Sequence, residues 1–303
     1  MRIQIIAAAL AALLTVSMEA QAKLNVFACE PEWKSLAETL GGEQVKVTSA
    51  TTAFQDPHHI EARPSLIAKT RRADVLICTG SELEIGWLPL LLRQSGNGSV
   101  QEGQPGYFMA SEQVSRIEVP QQMDRSMGDI HAGGNPHVHL DPHRLLTIAQ
   151  AFSARLQALD PDHMDDYQGR LENFEARWLT AIESWEKQAV ALKGKKVVVH
   201  HKNWSYLLNW LGVEAVADLE PKPGIPPTSS HLVSLLQVTK AEQPEAILVA
   251  AYQDDKGARW LADKSGVPLV RLPFTVGGNE DAGDLTSLYE NTLSLLLSAV
   301  NGS

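Results

Sequence analysis

Cysteine is nearly absent: two residues, Cys29 and Cys78, in a chain of 303. No Cys-x-x-Cys occurs, which excludes a thiolate zinc site. Both cysteines close apolar, β-like runs, Asn25 to Cys29 and Ala73 to Cys78. An oxidising compartment permits a disulfide between them, and two buried free thiols is the competing reading, because sequence does not give a Cα separation. Basic runs are absent too, and the formal charge is -10, which argues against nucleic acid or an anionic membrane as partner. Long apolar runs are also missing. The one sustained stretch, Ile5 to Val16, is too short to span a bilayer. It follows Arg2 and precedes Ala20-Gln21-Ala22, a small-x-small cleavage pattern, so residues 1–22 read as a removable signal peptide. No cysteine follows the cleavage point to accept a lipid, and the expected product is a soluble protein of the periplasm starting at Lys23.

What is present is a regular alternation of β and α signals. About 280 residues exceed one comfortable core, so two lobes are expected. Strand and helix patterns alternate from Leu24 to Leu156, and again from Lys196 to Val300. Such alternation predicts an α/β fold with parallel sheets and right-handed crossovers. Between the two series, Tyr167, Leu171, Phe174, Trp178, Ile182, Trp185, Ala189 and Leu192 recur every three or four residues, one apolar stripe on a helix. From Pro161 to Ala191 that helix would span about 45 Å. The expected organisation is an N-terminal βα lobe over 23–158, a linking helix over 159–193 and a C-terminal βα lobe over 194–303.

The histidines fall at informative places. Asn135-Pro136-His137-Val138-His139-Leu140-Asp141-Pro142-His143 puts three imidazoles into a turn stiffened by two prolines. Ligands of parallel sheets sit beyond the carboxyl ends of the strands. His58 and His59 lie in the loop after the second strand, and His200 and His201 end the first strand of the second lobe. Glu280, Asp281 and Asp284 follow the last strand. Imidazoles and a carboxylate from both lobes could thus meet on one ion in the interlobe cleft, and three imidazoles with one carboxylate suit tetrahedral zinc.

These same residues carry a resemblance over essentially the whole mature chain. It resembles the zinc- and manganese-type solute-binding proteins of bacterial ABC metal importers. Asp56-Pro57-His58-His59-Ile60-Glu61-Ala62-Arg63-Pro64-Ser65 is similar to that family's Asp-Pro-His-x-aromatic-Glu-x-x-Pro-Ser loop. Asn135-Pro136-His137-Val138-His139-Leu140-Asp141-Pro142 resembles its Asp/Asn-x-His-x-Trp-Leu-Asp-Pro segment, with His139 where tryptophan is usual. His201-Lys202-Asn203-Trp204-Ser205-Tyr206 resembles its His-Asp-Ala-aromatic-x-Tyr segment, with Lys202 in place of an acidic residue. By position the resemblance implies His58, His137 and His201 as metal ligands, and a fold of two βα lobes joined by a long rigid helix. Val276 stands near where many members place an aspartate ligand, so the fourth ligand is expected from a neighbour: Asp281 first, Glu280 or Asp284 behind it, or water. Histidine at the third position goes with Zn2+ in this family, and glutamate there goes with manganese.

The resemblance implies a binding protein, not an enzyme, with Zn2+ as its transported ligand. Its partners would be a membrane permease with its ATPase, and a periplasmic zinc donor. No nucleic acid is expected, and the protein is expected to be a monomer. His131 and His139 are candidates for a weak capture site, and the loop Pro221 to Ser230 is a candidate contact for a partner. Two rival classes remain. His137-x-His139-x-Asp141 begins like a metallo-β-lactamase motif, but Pro142 stands where such enzymes need histidine, and no general base is evident. A binding protein for an organic ligand would want aromatics or a bidentate arginine in these loops, which carry imidazoles instead.

Overall fold

The structure, a computed structural model, describes residues 23–122, 128 and 130–302. The expected leader and most of the Met123–Asp129 loop lie outside the described residues. The first series runs β1 (Leu24–Ala28), α1 (Pro31–Gly41), β2 (Val45–Ser49), α2 (Pro64–Thr70), β3 (Val75–Cys78), α3 (Leu88–Ser95), β4 (Tyr107–Met109) and α4 (Pro142–Leu159). The helix α5 (Met164–Gln188) follows. The second series is β5 (Lys196–Val199), α6 (Ser205–Leu211), β6 (Glu214–Asp218), α7 (Ser229–Glu242), β7 (Ala246–Ala250), α8 (Lys256–Ser265), β8 (Leu269–Leu272) and α9 (Leu285–Asn301). Each series builds one four-stranded sheet, β2-β1-β3-β4 and β6-β5-β7-β8, with every neighbouring pair parallel. The two sheets repeat one topology, and their loop edges carry the histidines.

α5 is the expected linking helix. Its 25 residues give a rod of about 37 Å. Its ends tighten into 3-10 turns at Pro161–His163 and Ala189–Leu192, so the long segment is not one unbroken α-helix. The predicted stripe is the buried face: Tyr167, Leu171, Phe174, Trp178, Ile182 and Trp185. Trp178 packs edge-on to Trp185 and to Tyr289 of α9, and its Nε1–H donates to Pro142 O at 2.9 Å. The stripe thereby joins one apolar core that runs from Val26 and Trp33 in the first lobe to Val199 and Tyr289 in the second.

Two local features position the first lobe's loops. Cys29 and Cys78 end the neighbouring strands β1 and β3 with Cα atoms 4.8 Å apart, and they form a disulfide. This decides between the two readings left open above. The sequence from Leu83 to Arg93 reads as a helix, yet α3 starts only at Leu88. Gly80, Ser81 and Glu82 all have left-handed φ, of 80, 50 and 66°, which no helix can include. The buried Glu84 carboxylate accepts the Thr79 and Gly80 N–H groups and holds this turn. Among the described residues no helix is long and apolar enough to cross a membrane.

Candidate metal centre

The turn before α4 is built from its own side chains. Asp141 caps α4, accepting the N–H groups of His143 and Arg144, with Pro142 in the first helical turn. Asn135 Oδ1 accepts the His137 N–H, while Asn135 Nδ2 donates across to Lys202 O of the second lobe. Gly134 has φ of 91°, and a Cβ there would fall 2.8 Å from Ile117 O. The loop is thus clamped on both sides, and it holds His137 in the interior at 1% exposure.

His58, His137 and His201 come together. One ring nitrogen from each lies within 4.8 Å of the others. Their ring centroids form a nearly equilateral triangle with edges of 5.9, 5.8 and 6.0 Å. Two of the rings are oriented by acids. His58 Nδ1 lies 2.7 Å from Asp56 Oδ1, and His201 Nδ1 lies 2.6 Å from Glu220 Oε2. Each Nδ1–H therefore donates outward, which leaves Nε2 as the free lone pair, the outer partnership usual for metal-binding histidines. Both nitrogens of His137 are buried without a hydrogen-bond partner. A buried imidazole left this way is costly unless an ion accepts its lone pair.

The electrostatics favour a neutral ring at His137. Burial, followed by repulsion from His58, His201, His131 and His139, holds the His137 pKa well below the usual histidine range. Burial of Asp56 alone would raise its pKa, but the hydrogen bond and charge of His58 outweigh it and the carboxyl is held down. A cavity of about 480 Å3 opens onto His137 and His201 and is bounded by Pro221, Lys222 and Pro223. The predicted partner-contact loop therefore borders the entrance.

The other candidates separate. Asp281 is exposed, in a tight turn where its N–H donates to Asn279 Oδ1 and Gly277 N–H donates to Ala282 O. That turn directs it away, so the expected Asp281 ligand does not join the group. Glu280 is likewise exposed, Asp284 is spent capping α9, and Val276 packs against the core. His139 cannot serve a capture site. It is buried, its Nε2 lies 3.0 Å from Phe274 O, its Nδ1 lies 3.3 Å from Glu32, and the Glu32 carboxylate also accepts from the Thr275 hydroxyl. It ties the first lobe to the second. His143 pairs with Glu186 on the surface. With His139 and Asp141 both committed elsewhere, the metallohydrolase-like spacing builds no second ligand set.

Sequence reasoning undervalued His131. Its Nε2 lies 3.3 Å from His58 Nε2, and the two rings stack with centroids 5.3 Å apart. Burial, then the charges of His58 and His201, push its pKa down to about 3, against a hydrogen bond to the Ser81 backbone. A second cluster of possible ligands, Cys29, Cys78 and Glu84, is disqualified by the disulfide.

Twin βα lobes fixed to one helix, with imidazoles facing one another between them, define a two-lobed solute-binding protein. Residues 26–299 match the family described as zinc-uptake complex component A, periplasmic, and the chain belongs to that family. The crystal structure of ZnuA superposes with a TM-score of 0.75 at 20% identity, covering 91% of this chain and 99% of that one. The Mn-bound periplasmic metal binding protein of Candidatus Liberibacter asiaticus gives 0.74 at 16% identity, covering 92% of this chain and 100% of that one. Among curated relatives, the manganese ABC transporter substrate-binding lipoprotein PsaA of Streptococcus pneumoniae is 23% identical over 267 residues, 86% of this chain and 83% of its own. The iron ABC transporter substrate-binding lipoprotein MtsA of Streptococcus pyogenes serotype M1 is 23% identical over 262 residues, 84% of this chain and 80% of its own. The chain is the substrate-binding component of a metal ABC importer, working with a permease and an ATPase, and is not an enzyme.

Proposed function

We propose that this protein captures Zn2+ in the periplasm, with His58, His137 and His201 as ligands, and delivers it to its permease. The observation that carries the choice of metal is the donor set: three imidazoles converge, with no carboxylate among them in the described residues. Nitrogen ligands suit zinc, whereas manganese is bound through carboxylates and carbonyls and stands at the weak end of the divalent series. Acid partners behind two of the three rings fit the same reading, since they raise ligand basicity and fix the tautomer. The leader pattern of residues 1–22 supports export, and a monomer with a periplasmic zinc donor is the simplest set of associations for the exposed entrance beside Pro221 to Pro223.

The test is titration calorimetry on chelator-stripped protein with Zn2+ and Mn2+ in competition. One Zn2+ per chain is expected, held at least about 100-fold more tightly than Mn2+. Alanine at His58, His137 or His201 should each remove most of that affinity. Manganese bound as tightly as zinc would overturn the metal, and full affinity in the three variants would overturn the ligands.

A further inference from the structure

We infer that His131 is the fourth ligand, so that the ion is held by four imidazoles: His58 and His201 from the loops after β2 and β5, and His131 and His137 from the loop between β4 and α4. This rests on the metal-capture reading above and extends its ligand set.

His58 Nδ1 is taken by Asp56, so its Nε2 carries a lone pair. His131 Nε2 faces that nitrogen at 3.3 Å, with the two rings stacked. An ion lying against both rings would take one lone pair from each. Zinc–imidazole bonds of about 2.0–2.1 Å at a tetrahedral angle place neighbouring nitrogens about 3.3–3.4 Å apart. The His58–His131 spacing matches one edge of such a tetrahedron, and His131 would close on the trio of His58, His137 and His201 when the ion binds.

The surroundings hold His131 in this place. Ser81 and Glu82 adopt left-handed backbone without being glycine, conformations that cluster where a site demands them. Glu82 Oε2 accepts the N–H of Ala132 at 2.5 Å, next to His131. On the other side Gly128 lies against the second lobe, where a Cβ would come 2.3 Å from Pro223 O. Gly128 and Ala132 thus anchor the described part of the loop on both lobes, beside the cavity that His131, His137 and His201 line. Among the described residues the expected competitors are turned elsewhere: Val276 packs against the core and Asp281 is exposed. Four neutral donors leave the ion's charge uncompensated at the first shell, and the carboxylates of Asp56 and Glu220 behind His58 and His201 supply it.

Two variants separate ligation from packing. His131→Ala removes ring and nitrogen, whereas His131→Phe keeps a ring to stack on His58 but no lone pair. X-ray absorption at the zinc edge counts the imidazoles, and zinc titration against a chelator reads affinity. Four imidazoles are expected in the wild type, and three plus one oxygen donor in both variants. The loss should exceed the roughly 10–100-fold that removing an outer-shell partner causes. Three imidazoles in the wild type, or an unchanged count in either variant, would overturn the assignment. Neither result would touch the capture reading, which fails only if the wild type takes up no zinc.

Discussion

His137 shows how a single side chain can serve binding at the expense of the metal-free fold. Its ring is fully enclosed, yet neither nitrogen has a protein partner. Replacing it with leucine removes two unsatisfied buried atoms, each worth about 1–3 kcal/mol. His137→Leu should therefore abolish zinc binding while raising the melting temperature of the stripped protein, checked by calorimetry in chelator. Acid should widen the gap. The folded pKa of His137 is depressed below its reference of 6.5, so below that pH the unfolded chain takes up a proton that the native ring refuses. Wild-type stability is then lost as pH falls below about 6.5, by up to about 1.4 kcal/mol per pH unit from this ring. The leucine variant lacks that term. A wild type as stable as the variant at pH 5 would contradict this account.

The same scale shows what sequence could reveal. His58, His137 and His201 were legible because each lies in a loop at the ligand edge of a parallel sheet. Asp281 and His131 were not. Whether Asp281 faces the cleft depends on a two-residue turn around Asn279, and the place of His131 depends on a loop with no periodicity, tied at Ala132 to Glu82, 50 residues earlier in the chain. His139 looked like a ligand by spacing, but Glu32 and Phe274 O, both remote in sequence, make it a strut.

At the level of elements, the two parallel sheets followed from alternation, whereas the start of α3 did not. A helix pattern beginning at Leu83 is overridden by the buried Glu84, which must accept the Thr79 and Gly80 N–H groups. Burial pushes the Glu84 pKa up to about 7, and burial followed by repulsion from Glu84 and Glu32 raises Glu30 beside it. A raised folded pKa means the native state holds a proton that the unfolded chain releases near 4.5. The stabilisation is complete below that value and disappears as pH climbs through about 7. Glu84→Gln keeps an acceptor oxygen without the charge, so the wild type should lose roughly 2–4 kcal/mol relative to this variant between pH 5 and 8. Parallel denaturant curves at the two pH values would show it. The disulfide acts on the same two strands. Because it closes a 49-residue separation, Cys29→Ala with Cys78→Ala should cost about 2–5 kcal/mol, measured the same way.

The molecule as a whole is governed by α5. The two-lobe reading of the sequence was correct, but it suggested two cores, and the structure has one large core threaded through both lobes by the stripe from Tyr167 to Trp185. A periodicity reveals that a helix has an apolar face without saying that both neighbours share it. Trp178, stacked on Phe174 and edge-on to Tyr289, sits at the centre. Trp178→Ala should cost about 3–5 kcal/mol and lower the unfolding of both lobes together. Two separated transitions, one unchanged from wild type, would refute the shared core.

That sharing limits how such a chain can be divided. A fragment ending before α5 would expose the apolar faces of α1 and α4, and one beginning after it would expose α9. Neither half could be expressed, exchanged or inherited as a free-standing module. The two sheets repeat one topology, yet they survive only as a single inherited piece.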